Sequence, residues 1–246
     1  MKPQDMSRDA LEQSASHHED AMNRLRKAVG LIGFLLPSTL LAAVLVFDVP
    51  MQNSISEFFF TSMRDVFVLT LSGIGVFLIT YYGHDPDADD LLSDWGVSTV
   101  AGVTALVVAL VPTECEMASC YTPLTFFDAL IRSDTLKNTL HFGSAGVFLT
   151  ALALMCLRLF TKSDNPNPDP CKCRRNRIYR VCGWTILAMV AALLIIKLLL
   201  GDPFDWDSSW HFTFWAESVA VWAFAFAWLV KGEAMRIGPM RQLYDD

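Results

Sequence analysis

The stretch Val29-Gly-Leu-Ile-Gly-Phe-Leu-Leu-Pro-Ser-Thr-Leu-Leu-Ala-Ala-Val-Leu-Val-Phe47 carries no charged side chain. A helix needs about 20 predominantly apolar residues to cross about 30 Å of hydrocarbon, and this run has that length. Because a bilayer offers backbone N–H and C=O groups no partner, a spanning segment must be a helix or part of a closed barrel. The run lacks the alternation of a barrel strand. It therefore predicts a transmembrane helix, and Pro37 inside it predicts a kink.

Five further apolar runs repeat this pattern, and they are Val66–Tyr82, Trp95–Val111, Leu140–Phe160, Val181–Leu200 and Trp210–Val230. The 246 residues are 53% hydrophobic and only 18% charged, whereas about a quarter of the residues in a soluble domain are charged. This composition excludes a disordered chain, a soluble enzyme and a nucleic-acid binder. We expect an all-α, polytopic membrane bundle of six transmembrane helices.

The polar ends of the chain should flank a single transmembrane domain. We expect residues 29–230 to form the six-helix domain, with a polar N-terminal tail over 1–28 and a short C-terminal tail over 231–246. A helix lying in the membrane surface over Ser7–Lys27 is the alternative for the first of these tails. Ser93 or Asp94 should cap the third helix, because their side-chain oxygens can accept from its free N–H groups.

Lys and Arg set the expected orientation. Fifteen of the 19 precede the first apolar run, lie in or beside the loop after the fourth, or follow the sixth. The other four are Arg64, Arg132, Lys137 and Lys197. Positive charge favours the cytoplasmic side, and six spans place both ends of the domain on one side. Both termini should therefore be cytoplasmic, with the chain in the cell (inner) membrane.

The cysteines divide between the two sides of the predicted membrane. Cys115 and Cys120 lie in the expected outer loop, where an oxidising compartment would permit a disulfide between them. Two unpaired thiols are the alternative. Cys171 and Cys173 are too few for a zinc site, which usually has four ligands. The chain also lacks phosphate-binding and dinucleotide-binding loops, so we expect neither a metal nor a cofactor.

Six polar or charged residues lie in the expected outer half of the spans, and they are Arg64, Asp65, Asn138, His141, His211 and Glu217. A charge at the centre of a span costs about 2.5–3.5 kcal/mol on insertion scales, so each one needs a partner. We expect these residues to form a ligand-binding pocket, with Arg64 or His141 as the partner of Glu217. Snorkelling towards the headgroups is the alternative for Arg64, Asp65 and His211. An interhelical hydrogen bond is the alternative for His141.

Small residues mark the places where helices can approach closely. One ridge in the third run consists of Ala101, Ala105 and Ala109, and another in the sixth consists of Ala216, Ala220, Ala223 and Ala227. Such ridges favour close packing between membrane helices.

Four stretches carry a resemblance to other membrane proteins. They are Ser54-Ile-Ser-Glu-Phe-Phe-Phe-Thr-Ser-Met-Arg-Asp-Val-Phe-Val68 followed by Gly73-Ile-Gly75, then Leu140-His-Phe142, Arg177-Ile-Tyr-Arg-Val-Cys-Gly183 and Trp228-Leu-Val-Lys-Gly-Glu233. Together they resemble uncharacterised bacterial multi-pass integral membrane proteins. The layout, with an Ile-Ser motif after the first span, is distantly similar to the Frag1/DRAM/Sfk1-like membrane family. The resemblance implies membrane-lipid organisation or trafficking and supplies no catalytic residues.

The function that we expect is non-enzymatic. The outer-half pocket would bind a lipid or small amphiphile, with Arg64 holding an anionic oxygen, or the chain would be a partner subunit of another membrane protein. One alternative is a membrane-embedded hydrolase, metal-dependent or not, that uses His141, His211 and the carboxylates of Asp65 and Glu217. Another is a transporter or proton pathway through Glu217.

Labelling of Cys120 tests the expected orientation. In a Cys115→Ser variant, which removes the expected disulfide partner, an impermeant thiol reagent should label Cys120 on intact cells. The Cys115→Ser/Cys120→Ser double variant gives the background from the other cysteines. Labelling that appears only after lysis would overturn the orientation.

Overall fold

The computed structural model describes residues 3–81, 93–114, 125–162, 170–199, 209–234 and 243–244, and these contain helices but no β-strand. In chain order the elements are α1 (Pro3–Val46), a 3₁₀ turn (Ser56–Phe60), α2 (Arg64–Thr80), α3 (Asp94–Leu110), the short α4 (Phe126–Leu130), α5 (Asp134–Leu154), α6 (Pro170–Leu194) and α7 (Phe212–Lys231). π-helical turns extend α5 over Met155–Leu159 and α6 over Ile195–Leu199. The prediction of an all-α chain is confirmed for the described residues.

The long helices form a closed ring in chain order. α1 packs on α2, α2 on α3, α3 on α5, α5 on α6 and α6 on α7, and α7 returns to pack on α1. In the part of the chain that the structure describes, four helices are long and apolar enough to cross a membrane, over Glu19–Val46, Asp134–Leu159, Pro170–Lys197 and Phe212–Lys231. α2 and α3 are shorter, with 17 residues each. The fold is a helical bundle of the membrane type.

Two ends of the ring have to be distinguished. Residues 47–63 connect α1 to α2, and we call this segment the first loop and its side of the ring the first-loop end. α7 begins there at Phe212 and finishes at Lys231, on the side that we call the far end.

The N-terminal segment is helical where the sequence suggested a tail. α1 runs without a break from Pro3 to Val46, so the expected tail and the first apolar run belong to one helix. The stretch from Gln4 to Ala28 contains neither Gly nor Pro and is rich in strong helix formers. Because adding a turn to an existing helix avoids the cost of nucleation, the apolar part of α1 can extend its helix into the polar part.

The start of α3 has the predicted cap. The Ser93 hydroxyl accepts a hydrogen bond from the Gly96 N–H at 3.0 Å. Asp94 follows in the first turn, is only 1% exposed and forms an ion pair of 3.0 Å with Lys162. The prediction is therefore confirmed with Ser93 as the capping residue.

The seam between α1 and α7 accommodates Pro37. Proline lacks an N–H group and so interrupts the hydrogen bonds of a helix. One turn before it, the Phe34 carbonyl accepts from the Ser38 hydroxyl at 2.7 Å and from the Trp222 indole N–H of α7 at 3.2 Å. The carbonyl that loses its helical donor to Pro37 is that of Gly33, so these bonds serve the next carbonyl and support the helix beside the proline.

Small residues bring the helices into backbone contact. The predicted ridge on α3 is fully buried, with Ala101, Ala105 and Ala109 each at 0% exposure. Beside it, a Cβ atom added to Gly102 would lie 2.4 Å from the carbonyl oxygen of Gly75 in α2. Only glycine permits this approach, because the clash would be with backbone and not with a movable side chain.

Substitution of Gly102 tests the contact between α2 and α3. Gly102→Ala should lower the free energy of unfolding by about 1–3 kcal/mol, because the methyl group overpacks the interface. Gly73→Ala in α2 is the matched control, since a Cβ there meets nothing within 4 Å. Denaturation of the two variants in one detergent gives the comparison. Equal stabilities would contradict the contact.

Candidate functional site

The first loop is packed into the bundle instead of lying over it. Ile55, Phe58 and Phe59 are 5%, 0% and 1% exposed. The Phe58 ring lies 5.8 Å from the ring of Phe214 in α7. An irregular segment at this depth has to find a partner for each of its backbone polar groups. Two of those partners come from α7, and they are the Glu217 carboxylate and the Phe214 N–H.

Glu217 in α7 holds the backbone of the first loop. Its Oε2 atom accepts a hydrogen bond from the N–H of Ile55 at 2.8 Å. A backbone donor at this half-buried carboxylate gives a charge-assisted bond, which is stronger than one between neutral groups. The sequence analysis expected Arg64 or His141 to be the partner of Glu217, and the first loop supplies a backbone partner that it did not consider.

The first loop also caps the start of α7. The first N–H groups of a helix have no partner within the helix. The Phe214 N–H donates to the carbonyl of Asn53 at 2.7 Å, and His211 Nδ1 lies 2.9 Å from Asn53 Oδ1. His211 itself has a left-handed backbone, with φ of 51°. Asn53 of the first loop thus provides the N-terminal cap that no side chain of α7 provides.

His141 in α5 joins the first loop to the end of α3. Its side chain is 1% exposed, with Nδ1 at 2.7 Å from the Val111 carbonyl oxygen and Nε2 at 2.8 Å from the Ser56 hydroxyl. Because a carbonyl can only accept, Nδ1 carries the hydrogen. In the neutral ring, Nε2 then accepts from Ser56. The imidazole is therefore an interhelical hydrogen bonder, the alternative weighed for it in the sequence.

The first loop is also fixed internally. Glu57 accepts from the N–H of Asn53 at 3.0 Å, and the Ser54 hydroxyl accepts from the N–H of Glu57 at 3.2 Å. Ser54 and Ser56 are both 7% exposed. Sequence reasoning did not select these residues for the site. The available signal was Ser54-Ile-Ser-Glu followed at once by three phenylalanines, a combination of polar and bulky apolar groups that is unusual for an exposed loop.

The predicted site residues fall into two groups. His141, His211 and Glu217 all reach the first loop. The Arg64 guanidinium lies 5.5 Å from the centre of the Phe59 ring, on the same loop. Asp65 is exposed in the first turn of α2. Asn138 lies apart, and its amide pairs with Glu114 after α3 at 2.8 Å and 3.3 Å.

Asp65 and Asn138 therefore do not contribute to a common interior site with the other four. An acidic side chain in the first turn of a helix is stabilised by the helix dipole in water, so Asp65 has no need of a buried partner. The predicted disulfide partners, Cys115 and Cys120, lie outside the described residues. Within the described residues, no group of three or more His, Cys, Asp or Glu side chains is arranged to hold a metal ion.

A second candidate site lies on the outward side of α6. A groove of about 590 Å³ is lined by Cys173, Arg177, Arg180, Val181, Trp184, Thr185 and Ala188. Their spacing of three and four residues places them along one side of the helix. Val181 and Trp184 are 60% and 65% exposed, and Arg177 and Arg180 are also exposed. Two guanidinium groups thus lie directly beside an exposed apolar surface.

No protein family model, curated protein or solved structure matches the chain. The resemblance to the Frag1/DRAM/Sfk1-like membrane family therefore stays a prediction, and the function has to be argued from the geometry of the chain.

Substitutions of Glu217 test its bond to the first loop. Glu217→Ala leaves the Ile55 N–H without its acceptor and should lower the free energy of unfolding by about 1–3 kcal/mol. Glu217→Gln keeps an acceptor oxygen at the same position and should retain a large part of the stability. Thermal unfolding of the three proteins in one detergent measures both effects. Equal losses in the two variants would show that the Ile55 bond does not determine the role of Glu217.

Proposed function

We propose that the chain is a non-enzymatic, multi-pass membrane protein that binds an anionic membrane lipid in the groove on α6. The observation that supports this proposal best is the pair of exposed arginines, Arg177 and Arg180, followed along the same side by exposed Val181 and Trp184. This arrangement matches the two parts of a phospholipid, an anionic phosphate and an apolar chain.

The groove lies at a suitable depth for a lipid. Pro170–Lys197 is 28 residues long, which at 1.5 Å per residue is about 42 Å, close to the thickness of a bilayer with its headgroups. The arginines immediately precede the apolar run that begins at Val181, so they are at headgroup level. Trp184 follows one turn later, where aromatic side chains favour the membrane interface.

The proposed topology brings the groove to the inner leaflet. We propose that all six long helices span the membrane, with both termini cytoplasmic and the chain in the cell membrane. The shorter α2 and α3 would cross with the support of their neighbours in the ring. The first-loop end is then outside and the far end is inside. Anionic lipids of the cytoplasmic leaflet attract basic side chains at about 1 kcal/mol for each Lys or Arg.

The first-loop end has a different role in this proposal. His141, His211 and Glu217 are hydrogen-bonded to the first loop, so their polar atoms hold that loop in place. We therefore propose the lipid site on α6 and not in the outer-half pocket expected from the sequence.

Lipid binding by the arginines is tested by a double substitution. Arg177→Gln/Arg180→Gln should lose about 2 kcal/mol of binding to anionic lipid, or roughly 30-fold in affinity. The measurement is flotation of detergent-purified protein with phosphatidylglycerol vesicles and with phosphatidylcholine vesicles. Arg24→Gln/Arg158→Gln is the matched control, because it removes two exposed charges away from the groove. An equal loss in the control would indicate general charge attraction and contradict the site.

A second candidate function rests on the Ser56–His141 pair. A serine hydroxyl at 2.8 Å from a histidine nitrogen, with the other ring nitrogen bonded to a carbonyl, is the arrangement that activates a serine nucleophile. A membrane-embedded hydrolase would therefore use Ser56 and His141. In that case a fluorophosphonate probe should label the purified protein and should not label a Ser56→Ala variant. Labelling that is absent, or unchanged in the variant, contradicts this candidate.

A further inference from the structure

A small cavity lies between α1, α2 and α7 towards the far end of the ring. Its volume is about 40 Å³, and the residues that line it include Arg26 and Val29 of α1, Phe77 of α2, Tyr81 after α2 and Trp228 of α7. The Trp228 side chain is 1% exposed, and its ring packs edge-on against Tyr81 at 5.1 Å. This volume exceeds the roughly 10–15 Å³ that one water molecule needs, so the cavity can accommodate a single ion of the size of chloride.

Two of the side chains that line this cavity have N–H groups without an acceptor. The Nε atom of Arg26 and the Nε1 atom of Trp228 are both buried, and neither has a hydrogen-bond partner among the described residues. A buried donor without a partner costs about 1–3 kcal/mol, and most native donors are paired. Two such donors on one cavity indicate that the cavity binds an acceptor.

The position of Arg26 is fixed by its surroundings. Its Nη1 group donates to the Asn23 side chain at 3.0 Å, and its guanidinium lies 5.9 Å from the centre of the Tyr81 ring. On the other side, a Cβ atom on Gly232 would lie 3.0 Å from the Arg26 Cβ. These contacts hold Arg26 between Asn23, Tyr81 and Gly232, where it is one of the residues that line the cavity.

Basic side chains lie near this cavity. The Lys231 Nζ atom lies 5.8 Å from the centre of the Phe160 ring, and Lys172 donates to the Phe160 carbonyl at 3.1 Å. The Phe160 ring in turn lies 5.2 Å from the ring of Trp228. Among the described residues, the buried acid near this cluster is Asp94, and it is already paired with Lys162.

We propose that the cavity is a binding site for a single small inorganic anion of the size of chloride, held by the Arg26 guanidinium and the Trp228 indole N–H. A halide accepts from both donors and compensates the arginine's charge. A water molecule would also accept from both donors, but it would leave the arginine's charge uncompensated.

Anion binding should be visible as chloride-dependent stability. Thermal unfolding of the purified chain in chloride should be compared with gluconate at the same ionic strength. When chloride exceeds its dissociation constant by about fivefold, the melting temperature should rise by about 2–4 °C. Trp228→Phe, which removes the N–H and keeps an aromatic ring, and Arg26→Gln should both lose this increment. Arg158→Gln, which changes an exposed arginine in the extension of α5, should keep it.

Anomalous diffraction from a bromide-soaked crystal tests the same site without any variant. We expect one bromide peak within hydrogen-bonding distance of Arg26 Nε and Trp228 Nε1. Equal melting temperatures in chloride and gluconate would overturn the proposal. A water molecule or a side chain of this chain in the cavity, with no bromide peak, would overturn it as well.

Discussion

The hydrogen bond from the Ile55 N–H to the Glu217 carboxylate is the interaction on which the first-loop end of this structure depends. Backbone groups inside a membrane bundle cannot turn to water, so a buried loop is stable only where other elements complete its hydrogen bonds. Glu217 meets this need from α7, and His141 of α5 accepts from the Ser56 hydroxyl of the same loop. In turn, the Asn53 carbonyl of the loop accepts from the Phe214 N–H and so caps the start of α7. Loop and helices therefore stabilise each other, and neither arrangement is complete without the other.

This constraint also explains how a carboxyl group is accommodated in the second turn of α7. A carboxylate inside a span is costly unless donors surround it. A backbone N–H stays in position as a donor when the loop that carries it is anchored. The buried side chains of Phe58 and Phe59 provide the anchor, and the Phe58–Phe214 contact connects it to α7. Apolar packing of the first loop and the polar site are thus parts of one arrangement.

Composition and spacing predict much of this architecture. A run such as Val29–Phe47 has few ways to satisfy its backbone in a bilayer other than a helix, and Ser93 signals the start of α3 by a purely local bond. The structure of the polar N-terminal segment was harder to predict, because its helix propensity favours a helix whereas its many polar and charged residues favour a solvated tail. Its helix follows from continuity with the apolar part of α1.

The candidate site could be predicted only in part. Glu217 and His141 stand out in the sequence because a charge or an imidazole in an apolar run needs a partner. Their partners could not be identified from the sequence. The partner of Glu217 is a backbone N–H 162 positions away and that of His141 is a serine 85 positions away, and contacts at such separations leave no periodic pattern. Asp65 shows the opposite case, since it lies next to an apolar run but is exposed at the helix start. Depth along a helix can be counted from sequence, whereas the direction a side chain faces depends on the neighbouring helices.

The most direct test of this account is amide hydrogen exchange in the first loop of the purified protein. The account predicts that the amides of Ile55–Phe59 exchange slowly, as those in the middle of α7 do, because they are buried and bonded within the bundle. Glu217→Ala should accelerate their exchange while the middle of α3 stays protected. Fast exchange of this segment in the unmodified protein, at the rate of an exposed loop, would contradict the account.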